Sequence, residues 1–448
     1  MEIPMEPQRL ARLSLAQILA LSAPAMLVAG FQIPMTVFAP AFLTQHVGLS
    51  LVAVGHIMLL ARLWDMVNDP IMGLLTDATQ TPIGRRRPWV LAGAPVIALA
   101  TWQLYFAAPG TGFVEILAWS IVLNTAWTMV IVAHGAWGVE ISSDYDERSR
   151  IFGFKMLAVA GALPIFAIGP AVLERRSGAD IADQMQFMGW LVIIALPLVI
   201  GWLMTVVPEP QARRSRFDIA SIVDSYLVVF RRRDFAIISG AYFLVGLGDA
   251  IGSSIYLFLV RDGLALPDWA ATFLVVQALF GFISIPLWLT VSRRTDKRRA
   301  LIGVLAAQMV LAPVPLLLPA GALGAFAGFI VAKGLIWGAE YMLLRAIVSD
   351  LVDVDAEATG ERRAGVFYAS FNLTLGLAGA LGGAGALWIL GHLGFDPQAD
   401  AAARAAFSQT LRWMAAAPPL ICAGLCLLLL HRFAARRAPV AAQIAPSL

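Results

Sequence analysis

Four polar side chains stand at the spacing i, i+3, i+6 and i+7 within an otherwise apolar stretch: Arg62, Asp65, Asn68 and Asp69. On a helix this spacing places all four on one face. The two carboxylates and the amide oxygen can coordinate Na⁺, or the carboxylates can hold a proton because each disfavours ionisation of the other. The pattern therefore predicts a site for Na⁺ or H⁺. An Arg62–Asp65 ion pair that only stabilises helix packing remains the alternative.

The composition predicts that this stretch lies in a membrane. Of the 448 residues, 59% are hydrophobic and 14% are charged, whereas soluble domains carry about 25% charged residues. An Arg or Asp at the centre of a spanning helix costs roughly 2.5 to 3.5 kcal/mol, so such groups normally meet a ligand or a partner. We expect an all-α membrane protein in which the polar face at residues 62–69 has a function.

Apolar runs of about 20 residues, the length that crosses a bilayer, recur along the chain. They predict twelve transmembrane helices, at residues 14–44, 51–75, 89–108, 113–141, 151–173, 185–207, 234–260, 268–291, 300–320, 323–349, 364–393 and 409–431. Residues 1–12 include Arg9 and Arg12 but no cleavage site of small residues, so a cleaved signal peptide is not expected.

The positions of Lys and Arg predict the orientation in the membrane. Most of them fall in the N-terminus, in alternate loops and in the C-terminal tail. The opposite side holds only Arg175, Arg176, Arg261, Arg404 and Arg412. Because positively charged loops stay inside, both termini are predicted in the cytoplasm, with the chain in a bacterial-type cytoplasmic membrane.

The spans fall into two similar halves. Residues 1–208 hold six spans, 209–233 form a basic cytoplasmic linker, and 234–448 hold six more spans and a tail. The segments after spans 4 and 10, "DYDERSRIFGF" and "DVDAEATGERRAGVF", both run from acidic residues through Arg to Gly and Phe. The loops after spans 2 and 8 likewise contain "GRRRPW" and "RRTDKRRA". Such a repeat is typical of transporters whose halves move around a central site.

Four motifs resemble one family in the same order along the chain. They are "HVGLS" (46–50), "ARLWDMVNDPIMG" with "TPIGRRRPW" (61–89), "GVEISSDYDERSRIFGF" (138–154) and "SDLVDVDAEATGERRAGVFYA" (349–369). They resemble the glycoside-pentoside-hexuronide:cation symporters of the major facilitator superfamily. The resemblance implies a twelve-helix major facilitator fold and cation-coupled symport by alternating access. It also implies that the cation, a metal ion if it is Na⁺, binds at Asp65, Asn68 and Asp69, with no cofactor beyond this coupling ion.

The chain departs from the family where the sugar is expected to bind. The family's two sugar-binding aspartates correspond to Ala29 and Ala133, and its lysine of helix 11 corresponds to a position near Gly376. A sugar would leave polar groups unpaired there. From the family resemblance alone, the expected substrate is a glycoside or another small organic solute. An amphiphilic or lipid-like substrate, or a non-transporting sensor or assembly protein on the same scaffold, remains an alternative.

Other polar or aromatic residues within predicted spans are candidates for substrate binding. They are Arg62, Gln32, His134, Trp137, Asp249, Lys333 and Glu340. Asp249 is the strongest because an isolated carboxylate in the middle of a span is costly without a partner. The alternatives are that Lys333 extends to the membrane surface, that His134 and Trp137 only pack, and that Glu340 pairs with loop charges together with Arg345.

A further group of charged residues lies at predicted cytoplasmic helix ends. It resembles the ion-pair latch of the superfamily, which opens and closes that side: Asp77, Arg85, Glu140, Arg148, Asp350, Asp353 and Arg363. For Arg86 and Arg87, solvated charge is the expectation. The absence of GxxxxGK[ST] and HExxH motifs disfavours an ATPase or a metalloenzyme. The expected partners are a small-molecule substrate, a coupling cation and the lipid bilayer, with no nucleic acid, and the expected state is a monomer.

Overall fold

A computed structural model describes residues 12–142, 144–177, 180–209, 228–360 and 363–433. Within these ranges the chain is helical, with no β-strand beyond an isolated bridge between Thr81 and Gly84. A helix occupies each predicted span, which confirms the all-α membrane fold. The predicted linker 209–233 lies largely outside the described residues.

The twelve long helices of the described residues are numbered α1 to α12. They are Leu15–Gln45, Leu51–Ala78, Arg87–Tyr105, Phe113–Glu140, Tyr145–Ser177, Ile181–Val206, Arg233–Gly263, Pro267–Arg294, Lys297–Leu317, Leu323–Thr359, Ala364–His392 and Ser408–Arg432. Among the described residues, eleven helices are long and apolar enough to cross a membrane. The remaining long helix is α3, which has 19 residues. It contains Pro88, Pro95 and Gln103, which make it less apolar than the other eleven.

Capping residues define several helix starts. Ser14 Oγ accepts a hydrogen bond from the Gln17 amide, and Gln17 Oε1 accepts one from the Ser14 amide, which forms a capping box before α1. Asp180 and Asp296 accept backbone hydrogen bonds at the starts of α6 and α9. These contacts satisfy amide groups that have no partner within the helix.

Several helices contain irregular segments that the apolar pattern does not indicate, among them α1 and α10. A π-helical segment, Pro34–Phe38, interrupts α1. In α10, an α-helix ends at Ile336 and another begins at Ala339. Gly338 between them has φ +83°, a left-handed conformation that favours glycine. Thus α10 consists of a first segment, Leu323–Ile336, and a second segment, Ala339–Thr359.

The chain divides into two compact units. Among the described residues, the first comprises 12–42, 46–48 and those within 64–209, and the second comprises 43–45, 49–63 and those within 228–433. In the first unit, α1 packs on α5 and α6, and α3 packs on α4 and α6. In the second, α7 packs on α11 and α12, while α10 packs on α8 and α9. Helix α2 passes from the second unit to the first between Leu63 and Trp64.

Candidate functional site

The predicted cation residues lie on α2, and α2 is joined to α4 by two side-chain hydrogen bonds. Thr128 Oγ1 donates to Asp69 Oδ1 at 2.9 Å. One turn away, Trp64 Nε1 donates to Thr125 Oγ1 at 2.8 Å. These contacts orient the polar face of α2 toward α4, so that Asp69 is held by a hydroxyl donor.

Asn68 supplies a buried amide beside the two carboxylates. Its side chain is 3% exposed, and its Nδ2 atom has no hydrogen-bond partner among the described residues. Asp65 and Arg62 are partly buried on the same helix. Two carboxylates and an amide oxygen within two turns of one helix offer hard oxygen ligands to a small cation. Among the described residues, no group of three or more His, Cys, Asp and Glu could hold a metal ion.

Two of the predicted substrate residues of the first unit pack in its interior. His134 is buried on α4, and a ring nitrogen lies 2.7 Å from the Leu21 carbonyl oxygen of α1. Trp137 is fully buried and donates through Nε1 to the Pro208 carbonyl at 2.9 Å. The Arg87 guanidinium lies over the Trp137 ring. Trp137 therefore fits the alternative that it only packs, because its ring is fully buried.

Lys155 is a polar residue of the first unit that the sequence did not single out. It lies on α5, is partly buried and interacts electrostatically with His134. Gln32, on α1, is exposed, and its carbonyl oxygen accepts a hydrogen bond from Thr36 Oγ1 at 2.6 Å. Lys155 and Gln32 thus supply polar groups to the first unit, in which Ala29 and Ala133 occupy the positions that correspond to the family's sugar-binding aspartates.

The predicted substrate residues of the second unit come together around the interruption of α10. Tyr341 Oη donates to Asp249 Oδ2 of α7 at 2.7 Å. Lys333 interacts electrostatically with both Asp249 and Glu340. Arg345 donates to Tyr242 Oη at 3.2 Å and to Asn372 Oδ1 at 3.1 Å, so it pairs with neutral groups within the unit.

An ion-pair network joins the ends of α2, α3 and α4 in the first unit. Arg86 is 2% exposed, and its Nη2 donates to Asp77 Oδ1 at 2.6 Å and to Glu140 Oε1 at 2.7 Å. Its Nη1 donates to Thr76 Oγ1 at 3.0 Å. The expectation that Arg86 is solvated is therefore wrong, because the guanidinium lies at the centre of the network. Burial lowers the pKa of Arg86, but the hydrogen bonds and charges of Glu140 and Asp77 outweigh it and raise that pKa above its ordinary value.

Glu209, which follows the end of α6, adds a second set of contacts to this network. Its carboxylate accepts backbone hydrogen bonds from Arg85 at 2.7 Å, Arg86 at 2.6 Å and Arg87 at 3.3 Å, at the start of α3. A negative charge is stabilised at a helix N-terminus. A side chain at Gly84 would collide with this carboxylate, and Gly84 also has φ +123°.

The other predicted latch residues differ in their surroundings. Arg85 pairs with Asp77 at 3.2 Å, whereas Arg148 is exposed and donates to the Ser142 carbonyl at 2.6 Å. In the second unit Lys297 pairs with Asp350 at 2.6 Å. Asp353 is exposed and has no ion pair with a described residue, while Asp355 is buried and pairs with Arg232. Arg363 lies at the start of α11, and its carbonyl accepts the amides of Val366 and Phe367.

The comparisons with known proteins agree with this architecture. Residues 20–437 match the family described as MFS/sugar transport protein. The chain belongs to this family. It is therefore a multi-pass membrane transporter rather than an enzyme, and the resemblance to the glycoside-pentoside-hexuronide:cation symporters is confirmed.

Relatives and a solved structure extend over most of the chain. YagG of Escherichia coli, whose name describes a glycoside/cation symporter, is 24% identical over 82% of this chain and 81% of its own length. A glucuronide carrier protein homolog of the same organism is 25% identical over 80% and 79%. The crystal structure of the nucleoside transporter NupG matches with a TM-score of 0.67 over 94% of this chain and 98% of its own, at 11% identity. The last match confirms the major facilitator fold.

Proposed function

We propose that the chain is a cation-coupled symporter of a glycoside or another small organic solute, which it moves by alternating access. The coupling ion, Na⁺ or H⁺, binds at Asp65, Asn68 and Asp69. The observation that supports this most directly is the Thr128–Asp69 hydrogen bond beside the buried Asn68 amide. Relatives named as symporters and sugar carriers support the reaction class.

Coupling requires that cation and substrate stabilise each other's binding. A cation at the α2 site offsets the charge of two carboxylates in an apolar region, which favours the conformation that binds substrate. The polar residues of the first unit that are proposed to contact substrate are Gln32, His134 and Lys155. Lys155 is included because its charge interacts with His134 on the neighbouring helix.

The latch around Arg86 is proposed to stabilise one state of the transport cycle. Its ion pairs join three helix ends within the first unit. Interfaces of this kind have discrete closed and open arrangements. In the second unit, the Asp355–Arg232 and Asp350–Lys297 pairs occupy corresponding ends of helices.

An amphiphilic substrate is the second candidate. Ala133 is fully buried and Ala29 is apolar, so neither position can bind a hydroxyl group with a carboxylate. A charge-assisted hydrogen bond contributes about 1.5 to 3 kcal/mol, and the lack of two such bonds at these positions weakens the case for a polyhydroxylated ligand.

The experiment is a thermal-shift screen followed by uptake into proteoliposomes. The purified protein is screened with neutral glycosides, glucuronides and lysophosphatidylcholine, each with and without Na⁺ at two pH values. The compound with the largest shift is then radiolabelled. We expect accumulation driven by an inward Na⁺ or H⁺ gradient. In Asp69→Asn, accumulation should be lost while counterflow exchange remains; the exposed Glu115→Gln is the control. Accumulation by Asp69→Asn at the wild-type level would place the cation site elsewhere.

A further inference from the structure

A small cavity lies inside the second unit, next to the interruption of α10. Its volume is about 20 Å³, and it is lined by residues of α7, α9, α10 and α12. The polar residues at its wall are Asp249, Gln308 and Glu340, together with the Cys422 thiol. Interrupted helices border ion sites in transporters because the helix ends leave polar backbone groups near the ligand.

The size of the cavity limits what it can bind. A volume of about 10 to 15 Å³ accommodates one water molecule, so this cavity has room for one particle of that size. The rest of the wall is apolar and includes Leu244, Val245 and Leu305. A proton, a water molecule or a single small ion fits this space.

The two carboxylates at the cavity differ in their hydrogen bonding. Asp249 accepts a hydrogen bond from Tyr341 Oη, whereas Glu340 accepts none from any described residue. The carboxylates interact electrostatically with each other and with Lys333. Glu340 thus has acceptor capacity that no described side chain fills, at the wall of a cavity.

The neighbouring helices add no further charge to this cluster. Helix α11 contains no Asp, Glu, Lys or Arg, and the charged residues of α8 and α9 lie near the helix ends. Helix α12 contributes the thiols of Cys422 and Cys426, and Tyr242 of α7 bonds to Arg345 of α10. With both carboxylates ionised, Asp249, Glu340 and Lys333 together hold two negative charges and one positive charge, while the Arg345 guanidinium is hydrogen-bonded to Tyr242 and Asn372 instead.

One proton removes this imbalance, and a metal ion is less suited to do so. An unpaired charge inside a membrane domain is costly. The Lys333 ammonium repels a metal cation, and one oxygen of Asp249 is already occupied by Tyr341. A proton taken from water binds a carboxylate lone pair and leaves one carboxylic acid, one carboxylate and one ammonium, which is neutral.

We propose that Asp249 and Glu340 form a proton-binding site within the second unit, distinct from the cation site on α2. The site binds one proton per chain, shared between the two carboxylates and balanced by Lys333. This assigns a proton to residues that the sequence interpreted as substrate ligands. The proposal does not depend on the identity of the substrate or on the α2 site.

Infrared difference spectroscopy of the purified, lipid-reconstituted protein tests this without a substrate. The pH is lowered in Na⁺-free buffer, and the carbonyl-stretch band of a protonated carboxyl group is recorded. We expect a band that the wild type shares with an Asp65→Asn/Asp69→Asn double variant, because protonation of the α2 carboxylates can contribute only in the wild type. In Asp249→Asn or Glu340→Gln the band should disappear, because the remaining carboxylate is balanced by Lys333. In Lys333→Met its amplitude should rise about twofold, since two carboxylates then need protons.

The charge count makes the outcomes decisive. A band unchanged in both Asp249→Asn and Glu340→Gln would overturn the proposal. So would loss of the wild-type band when Na⁺ replaces the inert cation at constant pH, because the site would then bind Na⁺. Asp249→Asn and Glu340→Gln preserve the shape of the side chain. If either variant fails to fold, the amplitude of the protonated-carboxyl band in Lys333→Met is the deciding measurement. An amplitude equal to that of the wild type contradicts the proposal. Failure here leaves the Asp69→Asn uptake test unaffected.

Discussion

Arg86 Nη2 lies 2.7 Å from Glu140 Oε1, so a buried guanidinium joins the start of α3 to the end of α4. The same atom lies 2.6 Å from Asp77 Oδ1 at the end of α2. Three helix ends of the first unit therefore share one cation. The guanidinium serves this purpose better than an ammonium because its planar fork presents several donors in fixed directions.

Arg86→Met should destabilise the protein. Removing one partner from a buried ion pair costs about 3 to 5 kcal/mol. Both carboxylates here are a quarter exposed, so we expect a loss of roughly 1 to 3 kcal/mol. The measurement is the unfolding temperature in detergent. Arg148→Met is the control, since Arg148 is exposed and, among the described residues, donates a side-chain hydrogen bond to the Ser142 carbonyl rather than to a carboxylate. Equal effects of the two substitutions would contradict the network.

The contribution of Arg86 should not depend on pH in the working range. The pKa of Arg86 is raised in the folded protein, so its stabilising effect is complete below the unfolded-state pKa and is lost only as the pH rises through the folded-state value. We expect the same difference in unfolding temperature between wild type and Arg86→Met at neutral and at mildly alkaline pH. A difference that vanishes at mildly alkaline pH would show that another group dominates.

Thr128→Val should weaken cation binding without abolishing it. The Thr128 hydroxyl holds one oxygen of Asp69, and a hydrogen bond to a charged group contributes about 1.5 to 3 kcal/mol. If part of this is lost in the cation-bound state, the affinity falls roughly tenfold. The measurement is the half-saturating Na⁺ or H⁺ concentration for uptake. Thr125→Val is the matched control, because it removes the partner of Trp64 one turn away; an equal change in both variants would exclude a specific role for Thr128.

The positions of the spans could be predicted from the sequence, but the exposure of single charges could not. About 20 apolar residues must cross the bilayer whatever the tertiary structure. The burial of Arg86, in contrast, depends on Glu140, which is 54 residues away and becomes a neighbour only when α3 and α4 pack. Similarly, Asp353 and Asp355 are two residues apart and lie on different faces of α10. Only the packing decides that Asp355 meets Arg232.

The candidate site was predictable where one helix supplies all the residues. Asp65, Asn68 and Asp69 share a face of α2 by spacing alone. The partner Thr128 was not predictable, because a threonine in a span carries no distinguishing signal. Lys155 lies near the start of a predicted span, where it resembles an ordinary positive-inside charge. The interruption of α10 was missed because Gly338 is one of 38 glycines and no proline marks it.

The orientation can be tested on the two loops that flank α3. Gln80 and Ala108 are exposed, and Cys422 and Cys426, the native thiols, are buried. The charge distribution predicts that Gln80 faces the cytoplasm and Ala108 the opposite side. In intact cells, an impermeant thiol reagent should label Ala108→Cys and leave Gln80→Cys unlabelled until the membrane is permeabilised. The reverse pattern would invert the topology.

Gly338→Ala tests whether the interruption of α10 positions Asp249 and Glu340 for proton binding, in addition to its effect on backbone strain. Gly338 has φ +83° and no atom within 4 Å of an added Cβ, so strain of about 1 to 2 kcal/mol is the only direct effect of alanine there. Gly360 has φ +72° and is equally open, at the end of the same helix. We expect Gly338→Ala and Gly360→Ala to lower the unfolding temperature by similar amounts. Only Gly338→Ala should alter the protonated-carboxyl band, because Gly338, unlike Gly360, lies between Lys333 and Glu340. If both variants keep the wild-type band, the interruption has no part in positioning the two carboxylates.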